Sequence, residues 1–249
     1  MSADQKELLG ILGGMGAEAG AMLYQRLVRR TGVETDQEHI PTVLYSATTI
    51  PDRTEAILGT GEACASALVD GVRFLERSGA DRIIIACITS HYYIREMREA
   101  VSCEIVSAIE QTVRLIREQR PAARRIGLLA TTGTIASRLF QTALERANLE
   151  AVLPSPDEQE EWVMEAIYGR QGVKSGYEEP GRTLMKRAAE RLEQAGVDAL
   201  IAGCTEIPLV LRAMDCHVPL FDPLDALIER VIVSSGRPLR MTTPSYDPT

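Results

Sequence analysis

Cys87 and Cys204 end two apolar segments that read alike, Gly79-Ala-Asp-Arg-Ile-Ile-Ile-Ala-Cys87 and Gly196-Val-Asp-Ala-Leu-Ile-Ala-Gly-Cys204, at an offset of 204 − 87 = 117. Gly10-Ile-Leu-Gly-Gly-Met-Gly16 and Gly127-Leu-Leu-Ala-Thr-Thr-Gly133 repeat at the same offset, and Leu23-Tyr-Gln25 and Leu139-Phe-Gln141 at one residue less. Two thiols at equivalent positions suit one kind of chemistry in particular. Inverting a carbon takes a proton from one face and returns one to the other, and two bases do this without rearrangement. A thiol, with a reference pKa of about 8.5, is tuned toward operating pH by cations or helix N-termini. One must begin as thiolate and the other as thiol, and each turnover reverses them.

Polar residues follow each cysteine. Cys87 precedes Thr89, Ser90 and His91; Cys204 precedes Thr205 and Glu206. Hydroxyls and exposed N–H groups at a helix start bind carboxylates and favour thiolates. His91, one turn past Cys87, is placed to bond or charge-pair with a thiolate. Glu206 reads equally as an orienter of a ligand amine or as a helix cap, and Asp52 is a further titratable candidate. Cys64, Cys103 and Cys216 have no counterpart in the repeat and read as small buried hydrophobes.

The elements that must position these residues are strands alternating with amphipathic helices. Leu8–Leu12, Thr42–Tyr45, Arg82–Ala86, Arg125–Ala130 and Ala199–Ala202 read as buried strands; 17–30, 62–78, 134–147 and 183–195 read as helices. That pattern predicts an α/β fold of parallel sheets covered on both faces, with ligands at the carboxyl ends of strands. The repeat divides it into two similar halves: 1–108 with 220–235, and 109–219. Related by a pseudo-twofold, they would bring both cysteines to one cleft. The stretch from about Ser234, with Pro238, Pro244 and Pro248, reads as a poorly ordered tail spanning 236–249.

Composition excludes several classes. The net charge is −8, with 45% hydrophobic and 25% charged residues and no clustered Lys/Arg stretch, which argues against nucleic acid or an anionic membrane surface. No apolar run approaches the roughly 20 residues that span a bilayer. The N-terminus lacks a signal-peptide pattern. Five cysteines without zinc-site spacing point to a reducing cytoplasm, no disulfide framework and no metal.

Taken together, Gly10–Ala19, Ile50-Pro-Asp-Arg-Thr54, Ala86–His91, Leu128–Ile135, Val173-Lys-Ser-Gly176, Gly203-Cys-Thr-Glu-Ile207 and Phe221-Asp-Pro223 resemble the aspartate/glutamate racemase family that works without pyridoxal phosphate. The resemblance runs from Gly10 to about Ala226. It implies two flavodoxin-like halves with the active site between them, no cofactor, a small acidic amino acid as substrate, and often a homodimer. Carried over by position, Cys87 and Cys204 match the catalytic cysteines, and Arg53 and Lys174 match cations that hold the substrate's two carboxylates. A planar guanidinium fits one carboxylate bidentately. Met15, Thr89, Ser90, Thr131, Thr134 and Thr205 fall at pocket positions. Two positions depart from the family: Ile88 stands where asparagine usually follows the first cysteine, and Ala47 lies in a segment that commonly carries asparagine. Both remove an amide's donor and acceptor.

Other readings compete. Gly14-Met-Gly16-Ala-Glu-Ala19 imitates a dinucleotide fingerprint, but the acid required after the second strand is missing, since Glu34 and Asp36 precede it. A decarboxylase or epimerase of a related acid would use the same scaffold, though a decarboxylase needs only one proton donor. A non-catalytic ligand sensor would tolerate Ala47 and Ile88. For a racemase, the α-hydrogen is on the order of ten or more pKa units less acidic than a thiol, each worth about 1.36 kcal/mol. Without an electron sink, positioned dipoles and cations must recover that deficit, which predicts a slow enzyme with a closed, water-poor cleft.

Overall fold

A computed structural model describes residues 7–240 of the chain. They form two compact units, one of residues 7–108 and 224–240 and one of 109–223. Each unit holds a four-stranded, all-parallel sheet.

The first unit runs β1 (Leu9–Gly13), α1 (Ala17–Arg30), β2 (Thr42–Ser46), α2 (Arg53–Leu58), α3 (Ala65–Arg77), β3 (Arg82–Ile85), α4 (Ile94–Ala100) and β4 (Glu104–Ile105), in sheet order β2-β1-β3-β4. All five residues of β1 are buried. A strand covered on both faces needs an unbroken apolar run, and each such side chain contributes about 1.5–3 kcal/mol by leaving water. The glycines of β1 set how closely the covers approach. A Cβ at Gly10 would sit 3.3 Å from the Cβ of Leu75 on α3, and one at Gly13 would lie 3.2 Å from the Cα of Gly20 on α1.

The helix α5 (Ala108–Gln119) leads into the second unit. There follow β5 (Arg125–Leu129), α6 (Thr132–Ala136), α7 (Leu139–Arg146), β6 (Glu150–Val152), α8 (Pro156–Glu158), α9 (Glu165–Tyr168), α10 (Glu179–Gln194), β7 (Ala199–Ala202), α11 (Ile207–Val210) and β8 (Leu220–Phe221). The sheet order is β6-β5-β7-β8, the same winding as in the first unit. The chain then returns to the first unit through α12 (Pro223–Ser234).

The internal repeat survives as packing. Gly10 lies against Leu75 and Ile83; Gly127 lies against Leu192 and Leu200, each partner 117 residues on. Gly79 (φ 92°) and Gly196 (φ 77°) turn the chain out of α3 and α10 in the left-handed region that glycine reaches without a Cβ penalty. Two residues later an aspartate anchors the start of the central strand. Asp81 Oδ2 accepts from the Leu8 N–H at 2.8 Å, and Asp198 Oδ2 accepts from the Arg124 and Arg125 N–H groups at 2.7 and 2.8 Å. The shared Gly-x-Asp is thus a turn and a clamp.

Several expectations need correction. Residues 220–223 belong with the second unit, because Leu220 and Phe221 pair in parallel with Leu200 and Ile201. The helix expected over 134–147 is two helices, interrupted at Arg138 in the left-handed region (φ 56°). The described part of the tail is fastened rather than loose. Leu239 bridges Thr31, Gly32 N–H donates to Pro238 O at 2.8 Å, and Arg237 Nε donates to Glu38 O at 2.6 Å. Pro244 and Pro248 lie outside the described residues. Among the described residues no helix is long and apolar enough to cross a membrane.

Candidate active site

Cys87 lies two residues beyond the end of β3, and Cys204 two residues beyond the end of β7. The equivalence extends to the backbone. Ala86 N–H donates to Leu12 O on β1, and Gly203 N–H donates to Leu129 O on β5. Both cysteines are buried, at 5% exposure, and none of the five cysteines is in a disulfide. Beyond the cysteines the two units diverge.

In the first unit the hydrogen bonds go to the backbone of Cys87. Ser90 Oγ donates to the Cys87 carbonyl at 2.7 Å, and His91 Nδ1 lies 3.0 Å from the same oxygen. His91 Nε2 accepts from the Ala108 N–H at 3.0 Å. A nitrogen that accepts from an amide carries no proton, so Nδ1 holds the ring proton and donates. His91 therefore ties the carbonyl of Cys87 to the start of α5. Thr89, Ser90 and His91 are all buried, on a one-turn 3₁₀ helix spanning Thr89–Tyr93.

Arg53 is buried at the first position of α2, whose N-cap is Asp52; the Asp52 carboxylate accepts from the Thr54 and Glu55 N–H groups. That capping accounts for Asp52. The guanidinium of Arg53 reaches backward: Nη2 donates to Met15 O at 3.1 Å, and Nη1 to Pro51 O at 2.8 Å and Ile50 O at 3.3 Å. Arg53 thereby joins the β1–α1 loop, which carries Met15, to the start of α2. Ala47 and Ile88 are both buried.

Cys64 is buried, as its lack of a counterpart in the repeat suggests, but its neighbour Tyr93 carries no signal in the sequence. Cys64 is fully buried in the same apolar cluster as Cys87, Met15, Ala47 and Tyr93. Burial pushes its thiol up, opposed by the neighbouring Tyr93 hydroxyl and then the Arg53 guanidinium. Burial and Cys64 push the Tyr93 hydroxyl up in turn. Nothing local in the sequence joins positions 64 and 93. Burial raises Cys103 to about 11 and Cys216 to about 12, so neither carries thiolate near neutral pH.

In the second unit the hydrogen bonds reach the sulfur itself. The Cys204 thiol donates to Glu206 Oε2 at 2.9 Å, and Thr205 Oγ1 donates to the same oxygen at 2.9 Å. Lys174 Nζ lies 2.9 Å from the other oxygen, Oε1, and 5.2 Å from the centre of the Tyr168 ring. Lys174 is presented by the 3₁₀ turn Val173–Ser175, closed by Gly176 in the left-handed region (φ 85°). Burial alone would raise the Glu206 carboxyl, but the Lys174 ammonium and the Cys204 and Thr205 donors outweigh it and hold the group below the usual carboxylate range. Burial, and then the Glu206 carboxylate, push the Cys204 thiol well up. Thr131 caps α6, its Oγ1 accepting from the Thr134 N–H at 3.3 Å and lying 3.1 Å from Thr134 Oγ1. Gln159, buried and not foreseen, donates to Ala130 O at 2.9 Å.

Fold and site together place the chain among α/β proteins built on a duplicated parallel sheet with a buried thiol after the third strand of each copy. Residues 12–231 match the Asp/Glu/hydantoin racemase family, and the chain belongs to it. The chain is 24% identical to the broad specificity amino-acid racemase RacX of Bacillus subtilis over 230 residues, covering 90% of this chain and 96% of that one. It is 30% identical to the glutamate racemase of Pseudomonas aeruginosa over 184 residues, 70% of this chain but 58% of that protein. Its structure superposes on Picrophilus torridus aspartate racemase with a TM-score of 0.82 at 29% identity, covering 94% and 96% of the two chains. These homologues are amino-acid racemases.

Proposed function

We propose that the chain racemises an acidic amino acid without a cofactor, with Cys87 and Cys204 exchanging protons with opposite faces of the α-carbon. The observation that carries this reading is the placement of two buried, reduced thiols at equivalent strand ends of a duplicated fold. One thiolate removes the α-proton, and the opposite thiol returns one to the other face. Hydroxyl and N–H donors after each strand, with the Arg53 and Lys174 cations, stabilise the carbanion between those steps. Lys174 would exchange Glu206 for a substrate carboxylate, while Arg53 would hold the other carboxylate beside Met15. Thr89, Thr131 and Thr134 would serve as further polar contacts.

Proton NMR of L- and D-aspartate and L- and D-glutamate in D₂O tests this directly. Loss of the α-proton signal with inversion, abolished in both Cys87→Ala and Cys204→Ala, is the expected result. Inversion that persists in either variant removes the two-thiol mechanism, whereas α-proton exchange with retention is what one remaining thiol can still catalyse on its own face.

A second reading is a broader amino-acid racemase. Buried Ala47 and Ile88, where amides would select a head group, favour it, and the full-length relation to RacX agrees. Exchange with neutral or basic amino acids in the same assay, faster than with aspartate and glutamate, would select it. The protein is proposed also to be a cytoplasmic homodimer; sedimentation equilibrium tests the assembly.

A further inference from the structure

The two thiols are not equivalent in their surroundings, and the difference lies in what each unit bonds. After Cys87 the neighbouring donors, Ser90 and His91, are spent on the cysteine's carbonyl. After Cys204 a buried carboxylate stands 2.9 Å from the sulfur, and its other oxygen stands 2.9 Å from Lys174. A carboxylate accepts only, so the bond between Cys204 and Glu206 exists only while the sulfur carries a hydrogen. A thiolate there would face the Glu206 anion at hydrogen-bond distance in a buried setting, where like charges repel strongly.

We infer that Glu206 is a positioning residue that keeps the proton on Cys204 in the ligand-free enzyme, with Lys174 holding Glu206 as the anion that does so. The inference rests on the two-thiol reading above and assigns its starting state. Cys204 begins as the acid, and the first abstraction falls to Cys87. In that turnover the Cys87 thiolate takes the α-proton to become a thiol, and the electron pair of the broken C–H bond stays on carbon. The Cys204 S–H proton then passes to the opposite face, leaving Cys204 as thiolate against Glu206. That is the less stable of the two protonation states. A reverse turnover, or proton exchange with solvent, restores the starting one.

The groups facing the Cys204 sulfur are Glu206, from the turn after β7, and Lys174, from the 3₁₀ turn before α10. The Lys174 cation favours a thiolate and Glu206 opposes it, and Glu206 is the nearer through its direct bond.

The test reads protonation without needing turnover. Full-length protein is alkylated with iodoacetamide across a pH series, and the rate at each cysteine is followed by peptide mass mapping. In wild type the midpoint for Cys204 should lie above that for Cys87. Glu206→Gln keeps the side chain's volume and removes its charge. It should move the Cys204 midpoint down by at least about one unit, about a tenfold rise in labelling rate below the midpoint. Glu206→Asp, which retains the charge, should keep the midpoint high.

A Cys204 midpoint at or below that of Cys87 in wild type overturns the inference, and this holds even if Glu206→Gln fails to fold. An unmoved midpoint in folded Glu206→Gln overturns it as well. Racemisation with an unshifted midpoint removes this inference alone. A shifted midpoint without α-proton exchange on any amino acid removes the racemase reading and leaves the proton placement standing.

Discussion

His91→Ala separates two roles that a histidine beside a reactive cysteine can take. In the structure both ring nitrogens are committed, Nδ1 to the Cys87 carbonyl and Nε2 to the Ala108 N–H, each at 3.0 Å. The ring is 1% exposed. Alanine leaves a cavity and takes both partners from the main chain. Deleting a buried ring together with the acceptor for a buried amide costs about 3–5 kcal/mol. At about 2–4 °C per kcal/mol for a chain of this size, the melting temperature should fall by about 6–20 °C. The loop carrying Cys87 loses its tie to α5, and misplacing a catalytic group by a fraction of an ångström to an ångström slows turnover by about 10–100-fold. The shape of the pH–rate profile should not change, because His91 carries no proton to or from the substrate. Thermal melts by circular dichroism give the first quantity, and α-proton exchange followed from about pH 6 to 9, across the histidine range, gives the second. An unchanged melting temperature with loss of one limb of the profile would refute the reasoning and make His91 a proton carrier.

Other predictions follow from single contacts. Gly14 has φ 91°, and a Cβ there would lie 2.5 Å from the backbone N and C of Ala47. Gly14→Ala should therefore cost about 2–5 kcal/mol in strain and overpacking, read by chemical denaturation, and should weaken substrate binding through the adjoining Met15–Arg53 contact. Asp198 sits below the usual carboxylate range because the Arg125 and Arg124 N–H groups donate to it. A depressed carboxyl contributes stability that is present above its unfolded pKa and is lost as pH falls through the folded one. Asp198→Ala should lower stability at neutral pH by about 0.5–1 kcal/mol, the two amide hydrogen bonds being discounted for solvent screening at this exposed site, and flatten the acid limb of a melting-temperature-against-pH curve. Cys204, raised by burial and Glu206, has the opposite sign: its contribution is complete below the ordinary thiol range and is lost as pH rises above it, so Cys204→Ser should flatten the alkaline limb.

What was legible in the sequence follows from how each element is held. β1, β3, β5 and β7 are buried on both faces, so they are written as unbroken apolar runs that a reader finds directly. The outer strands β4, β6 and β8 have two or three residues each, too few for any period. That is why the return to the first unit was placed at 220 rather than 224. The break at Arg138 has no glycine or proline to announce it. The start of α10 at Glu179, with Pro180 in its first turn, lies four residues ahead of the apolar pattern that marks the helix. The partners of the candidate site residues are not legible in the sequence. Arg53 and Lys174 are reached only through the family resemblance and Glu206 through its place after Cys204 and Thr205, whereas the bonds from Arg53 to Met15 and from Lys174 to Glu206 join elements 38 and 32 residues apart and depend on tertiary packing. The proximity of Cys64 and Tyr93 is hidden for the same reason.

A duplicated backbone supplies two equivalent positions, and duplication alone would give the two thiols equal affinity for a proton. A two-base racemase needs one thiolate and one thiol at the same moment, and equal affinities would populate the two singly protonated arrangements alike. The structure breaks the equivalence at the second residue after each cysteine, where Thr89 in one unit corresponds to Glu206 in the other. The carboxylate is tolerated in a buried setting because Lys174 offsets it and two donors, Cys204 and Thr205, satisfy one of its oxygens. On the other side the same stretch of chain is used to pin the backbone through His91. The repeat thus accounts for where the thiols stand, and the residues at which it fails account for their unlike surroundings, on which the proposed order of proton transfer rests.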